Sequence, residues 1–313
     1  MSRPVTRRTA FTAGLAAAGA LAVPAAAAAS PSRREGTLLT AAASSPVLGE
    51  DIDYIAYLPH GYDRGRRRYP VVYLLHGRGD DMTGWSRMKP VLDELIADGR
   101  IPPVIAVMPD AQWSEAGNYY VDSAFTGTPL GRPVETAFTT DLIAHVDGTY
   151  RTRTDRASRL VGGYSMGGAG ALRYVLAHQD LFAAALVLSP AVYTPTPPAD
   201  SSVREFGAFG DGAARFAEDV YLAKNYPALL STVDPAVPVH VYVAVGDDEW
   251  PNPNPEDFRH DLDFEAGVVH NHLKRTVGVS TEFRVLGGGH DWDVWGPAFE
   301  AGLPHLLEAL AAD

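Results

Sequence analysis

The sequence predicts an α/β protein: a mostly parallel central sheet flanked by helices. Two patterns carry that expectation. Short apolar runs recur along the chain, as strands buried on both faces require, and segments of helical apolar spacing lie between them. Composition agrees. Of 313 residues, 46% are hydrophobic, 20% charged and 10% aromatic, which is ordinary for a globular chain and excludes general disorder.

The elements follow in order. Asp51–Leu58 alternates polar and apolar residues, as a strand with one solvated face does. Tyr69–Leu75 and Pro103–Met108 are near-continuous apolar runs and read as buried strands. Between them, Val91, Leu92, Leu95 and Ile96 give Lys89–Ala97 helical spacing. Val134–Tyr150 reads as a helix with Leu142, Ile143 and Val146 on one face. Ser158–Tyr164 is a strand and Met166–Ala177 a helix; Ala183–Leu188 and Val239–Val245 are strands. Phe258–Thr276 is a helix, Thr281–Leu286 a strand and Pro297–Ala311 the last helix. Residues 192–238 break the rhythm. They are proline-rich, hold Phe206, Phe209 and Phe216 and show no clear strand, so they read as a cap-like insertion over the C-terminal edge of the sheet.

Met1–Ala29 reads as a leader rather than as fold. It holds Arg3, Arg7 and Arg8 and no acidic residue, then an Ala-rich run from Ala10 to Val23, Pro24 and a small-residue site at Ala27-Ala28-Ala29. The run is too short and small-chained to span a membrane, which takes about 20 strongly apolar residues. Thr6-Arg7-Arg8-Thr9-Ala10-Phe11 resembles the twin-arginine signal, whose cargo crosses the membrane folded. The expected location is therefore extracellular. Residues 30–46 read as a flexible lead-in and 47–313 as a single domain. The chain has no cysteine, which excludes disulfides and a cysteine nucleophile. A net charge of −12 argues against nucleic acid as a partner, because phosphate contacts need clustered cations.

Gly163-Tyr164-Ser165-Met166-Gly167 matches G-x-S-x-G between a predicted strand and a predicted helix. A serine on so sharp a turn is held in a strained conformation with its hydroxyl raised above the sheet. The flanking glycines leave room for the turn, and the helix that starts there favours an oxyanion at its N-terminus. Ser165 is the candidate nucleophile; the bland alternative is a serine that only caps a helix.

Such a serine needs an acid and then a histidine further along the chain. His290 follows a strand and Gly287-Gly288-Gly289, so it can swing over the strand ends. His178, His270, His272 and His305 fall in predicted helices and His240 in a strand. The acid is expected after Val239–Val245, where the chain reads Gly246-Asp247-Asp248-Glu249-Trp250. Acids in this fold commonly stand three residues after that glycine, which favours Glu249, then Asp248, then Asp247. The loop His76-Gly77-Arg78-Gly79-Asp80 is placed to give one oxyanion amide, from Arg78 or Gly79, and Met166 the other. His76 precedes the serine and reads as structural.

Trp113, Tyr119, Tyr120 and Asp122 lie in the loop after Met108-Pro109-Asp110, and Trp250, Trp292 and Trp295 flank the proposed acid and base. The first four, with Trp250 and Trp292, are candidate substrate-binding residues for an aryl or acyl group. Trp295 fits core packing equally well. Asp257, Asp261, Asp263 and Glu265 with His260 do not suggest a metal, since i,i+2 pairs on a helix point to different faces.

With Tyr57-Leu58-Pro59, Gly61-Tyr62 and Asp291-Trp292, these motifs resemble the putative-esterase family of alpha/beta-hydrolases. That family includes esterase D, feruloyl esterase modules of xylanases, enterochelin-esterase-like proteins and secreted mycolyltransferases. The similarity runs over about residues 50–311. It implies an alpha/beta-hydrolase fold and a serine carboxylesterase that forms an acyl-enzyme without a cofactor. Its partners would be small-molecule or glycan-linked esters. The matching positions are Ser165, His290, Glu249 or Asp248, and the amides of Arg78 and Met166. The cluster Asp247-Asp248-Glu249 departs from relatives that show one obvious acid. An acyltransferase shares the same intermediate. A glycan-binding protein on a decayed scaffold conflicts with the intact serine, acid and histidine.

Overall fold

The structure is a computed structural model and describes residues 35–251 and 254–312. Eight strands form one sheet: β1 (Thr37–Ser45), β2 (Glu50–Leu58), β3 (Val71–Leu75), β4 (Ile105–Pro109), β5 (Arg159–Tyr164), β6 (Ala184–Leu188), β7 (Val239–Gly246) and β8 (Val279–Leu286). Their order across the sheet is β1-β2-β4-β3-β5-β6-β7-β8. Only β2 runs against its neighbours; every other adjacent pair is parallel.

The central strands read as unbroken apolar runs because helices cover both faces. Every residue of β3, β4 and β6 is buried. On one face Val107, Val161 and Val243 meet Val146 of α2 (Ile143–Thr149), Leu172 of α3 (Met166–Ala177) and Val269 of what becomes α6 (Leu262–Leu273). On the other, Leu74, Met108 and Leu186 meet Leu92 of α1 (Lys89–Ala97) and Phe299 of α7 (Trp292–Ala312). Each such side chain contributes roughly 1.5–3 kcal/mol on burial. α2 continues a helical run from Val134 through a π-turn at Phe138–Leu142, and α4 (Glu218–Lys224) and α5 (Tyr226–Leu230) lie in the cap-like insertion.

Four sequence expectations need correction. Residues 37–45 are not a flexible lead-in: β1 pairs with β2 along its whole length, from Thr37 opposite Leu58 to Ser45 opposite Glu50. Its end is fastened by Asp141, which accepts from Ser45 Oγ at 2.6 Å and Val47 N at 3.0 Å. Small residues on a half-solvated edge strand hid the pattern. The last helix starts at Trp292, because Asp291 caps it through Asp293 N (2.8 Å) and Trp295 N (3.0 Å), and Pro297 lies inside it. The expected helix over Phe258–Thr276 divides into a 3₁₀ turn at Pro255–His260 and α6, separated by the extended Asp261. The insertion does hold a strand, the two residues Asp211–Gly212, paired with Ala124–Phe125 and too short to leave a pattern. The proposed leader Met1–Ala29 lies outside the described residues.

Candidate active site

β5 ends at Tyr164 and α3 begins at Met166, which leaves Ser165 alone on the turn at φ 56°, ψ −120°. A non-glycine residue in so sparsely populated a region costs about 1–3 kcal/mol and persists only where the surroundings enforce it. They do. Ser165 N donates to Leu188 O at 2.9 Å, and Ser165 O accepts from Ala191 N at 3.1 Å. A Cβ on Gly163 would strike the Gly167 carbonyl, and one on Gly167 the Leu75 carbonyl, so both positions admit only glycine. Ser165 is 8% exposed and lines a cavity of about 260 Å³ together with Arg78, Tyr119, Tyr193, Trp250 and His290.

Beyond β7 the chain turns back on itself and buries Glu249 to 2% exposure. Its Oε1 accepts from Gly246 N at 2.6 Å and Ser189 Oγ at 2.5 Å; its Oε2 lies 2.8 Å from His290 Nδ1. A carboxylate here can only accept, so His290 donates through Nδ1 and keeps a lone pair on Nε2. That Nε2 is buried and has no hydrogen-bond partner among the described residues. Asp248, the alternative acid, is exposed and does not meet His290, and neither does Asp247, whose Oδ1 accepts from Gly288 N at 2.9 Å. Both face water on the outside of the turn that carries Glu249 inward.

The amides of Arg78 and Met166 donate to no other group among the described residues, whereas Gly79 N is taken by Ala116 O at 3.1 Å. Gly79 is therefore dropped as an oxyanion donor. His76 is fully buried, with Nε2 accepting from Ala111 N at 3.0 Å and Nδ1 donating to Gly77 O at 2.8 Å. Burial pushes its pKa down, so it stays a neutral strut beneath the loop.

Of the candidate substrate-binding residues, Tyr119 and Trp250 reach the cavity. Trp250 is 58% exposed, with its ring centroid 4.1 Å from that of His290. The other four do not. Trp113 donates to Glu50 Oε1 at 2.7 Å in a separate groove. Tyr120 is buried and donates to His76 O at 3.0 Å. Asp122 accepts from Thr136 N at 2.9 Å and Thr136 Oγ1 at 2.5 Å, tying down the start of a helix. Trp292 packs on Tyr164 and Trp85, with Arg87 over its ring at 4.5 Å. Loop position predicted neighbourhood; side-chain direction, which the sequence pattern does not carry, decided contact. Tyr193 and Ser202 enter the cavity from the insertion, and Trp295 enters it while packing against the core. No pattern signalled the first two. Glu265, from the acidic stretch, is buried and accepts from His260 Nδ1 at 3.0 Å and Thr194 N at 2.9 Å, so it anchors the chain next to Tyr193.

A strained serine between strand and helix, a buried histidine–carboxylate pair and a mostly parallel sheet together define an alpha/beta-hydrolase. The family profile described as "Putative esterase" matches residues 45–306, and the chain belongs to that family. The chain is 30% identical over 168 residues to an endo-1,4-beta-xylanase/feruloyl esterase of Xylanibacter ruminicola, covering 50% of this chain and 22% of that protein. It is 36% identical over 129 residues to the esterase Rv1288 of Mycobacterium tuberculosis, covering 41% and 26%. The matches thus span about a quarter of these curated relatives. Among solved structures, a ferulic acid esterase superposes with a TM-score of 0.71 at 26% identity, over 89% of this chain and 99% of that one. An S-formylglutathione hydrolase from Agrobacterium tumefaciens shares the fold, with a TM-score of 0.66 at 17% identity over 90% and 99%.

Proposed function

We propose that this chain is a serine carboxylesterase whose triad is Ser165, His290 and Glu249. The observation that carries the reading is the His290 Nδ1–Glu249 Oε2 contact of 2.8 Å, which leaves Nε2 unpartnered in the cavity that Ser165 lines. His290 Nε2 takes the Ser165 hydroxyl proton as Oγ attacks the ester carbonyl. Glu249 fixes the imidazole tautomer and stabilises the imidazolium. The Arg78 and Met166 amides, with the N-terminus of α3 behind them, receive the oxyanion. His290 then gives the proton to the leaving alcohol, and water repeats the sequence on the acyl-enzyme.

The substrate class we propose is a short acyl or feruloyl-type ester. Its support is the aromatic wall formed by Trp250, Tyr119 and Tyr193, and the names of the relatives at 30% and 26% identity. The test is hydrolysis of methyl ferulate and p-nitrophenyl acetate by wild type and Ser165→Ala. Activity only in wild type supports the reading; equal rates overturn it. Adding trehalose or glycerol reads out acyl transfer: a sugar or glyceryl ester among the products would make the enzyme an acyltransferase. We also propose export by the twin-arginine route, on the composition of Met1–Ala29. Retention in the cell of a protein carrying Arg7→Lys and Arg8→Lys is the expected result, and unchanged export refutes it.

A further inference from the structure

Glu249 is sealed away from water, so fixed hydrogen-bond donors must take the place of hydration around its carboxylate oxygens. Two of its three donors are accounted for by the loop backbone and by His290. The third, Ser189 Oγ at 2.5 Å, belongs to no motif of the chain. Ser189 is fully buried at the end of β6 and sits at φ 44°, a left-handed conformation that costs a serine energy. Its Oγ also accepts from Trp295 Nε1 at 2.9 Å. With that lone pair engaged, the hydroxyl proton is directed to Glu249. Trp295 is itself held, stacked on Tyr164 at 4.4 Å and edge-on to the His290 ring at 5.0 Å.

The same strand end touches the nucleophile. Leu188 O accepts from Ser165 N, and Ala191 N donates to Ser165 O. Residues 188–191 therefore grip Ser165 by its backbone on one side and Glu249 by its carboxylate on the other. We infer that Ser189, oriented by Trp295, is a positioning residue: it acts through Glu249 to set the His290 imidazole at the height of Ser165. This rests on the triad reading proposed above, and the strained φ at Ser189 is maintained by that bracket.

The test is a double-mutant cycle of Ser189→Ala and Glu249→Ala, reading kcat, KM and Tm with p-nitrophenyl acetate. Loss of a hydrogen bond to a charged group predicts a kcat roughly 10- to 100-fold lower for Ser189→Ala, with KM within about twofold. In the Glu249→Ala background the same change costs nothing further, because the group it acts through is gone. Ser189→Gly, which relieves the left-handed strain, lowers kcat as much as Ser189→Ala while unfolding at a higher temperature. Should neither variant fold, Trp295→Phe keeps the ring on Tyr164 and removes only the N–H; its kcat falls, and again not in the Glu249→Ala background. An unchanged kcat, or an equal loss in both backgrounds, overturns the positioning role. Wild-type kcat in Glu249→Ala itself overturns the triad reading instead.

Discussion

Replacing Glu249 with glutamine separates orientation from packing. The amide is nearly the same size, so the cavity and the turn after β7 keep their shape. One of its atoms must still accept from Gly246 N at 2.6 Å and Ser189 Oγ at 2.5 Å, and only the amide oxygen can do so. The NH₂ group then occupies the place of Oε2, 2.8 Å from His290 Nδ1, and donates to it. The imidazole is driven into the tautomer that carries its proton on Nε2, where it cannot accept one from Ser165. In a serine protease triad, the corresponding acid-to-amide change lowers kcat by about 10⁴-fold through this inversion. We expect a loss of about 10³- to 10⁴-fold for Glu249→Gln, with Tm changed by no more than a few degrees. Asp248→Asn, on the exposed side of the turn, leaves kcat within about twofold. The assay is steady-state hydrolysis of p-nitrophenyl acetate with thermal unfolding in parallel. A larger loss for Asp248→Asn than for Glu249→Gln would refute the assignment of the acid.

Trp250→Ala removes the exposed ring beside His290; KM for an aryl ester should rise roughly twofold to tenfold, with a smaller change for acetate, and equal changes would remove Trp250 from the substrate wall. Tyr120→Phe should cost about 1 kcal/mol of stability, read by denaturant unfolding, because His76 O loses its donor, while kcat stays within about twofold; a tenfold fall in kcat would contradict the packing role. Burial raises the Glu265 pKa, so the fold favours its protonated form. The stability it contributes is complete below the ordinary carboxyl value of 4.5 and is lost as pH rises through the raised folded value. The Tm advantage of Glu265→Gln over wild type should therefore grow with pH above 4.5, and a constant difference would refute that sign.

The sheet and the strained turn at Ser165 were legible because each rests on local pattern. Apolar runs mark strands covered on both faces, and Ser165 is announced by glycines that a sharp turn demands. The pairing of His290 with Glu249 was legible from chain order and from their place beyond predicted strands. What side chains do once loops close was not. Tyr120 and Trp292 are as aromatic as Tyr119 and Trp250, yet the first pair fills the core and the second lines the cavity. Ser189 left no trace, because a serine after an apolar strand looks like any strand end. Its task depends on Trp295, which lies 106 positions away.

The hairpin of β1 and β2 bears on where the folding unit begins. The family match starts at residue 45, where β1 ends. Cutting the chain there would strip β2 of a partner along nine residues and leave its outer row of amides and carbonyls open. An unpaired edge of that length is a template for other chains. The segment matched by the family profile is therefore shorter at its amino end than the hairpin that closes this edge of the sheet. A form cut at residue 45 keeps Ser165, Glu249 and His290 yet exposes that edge, so it is expected to aggregate.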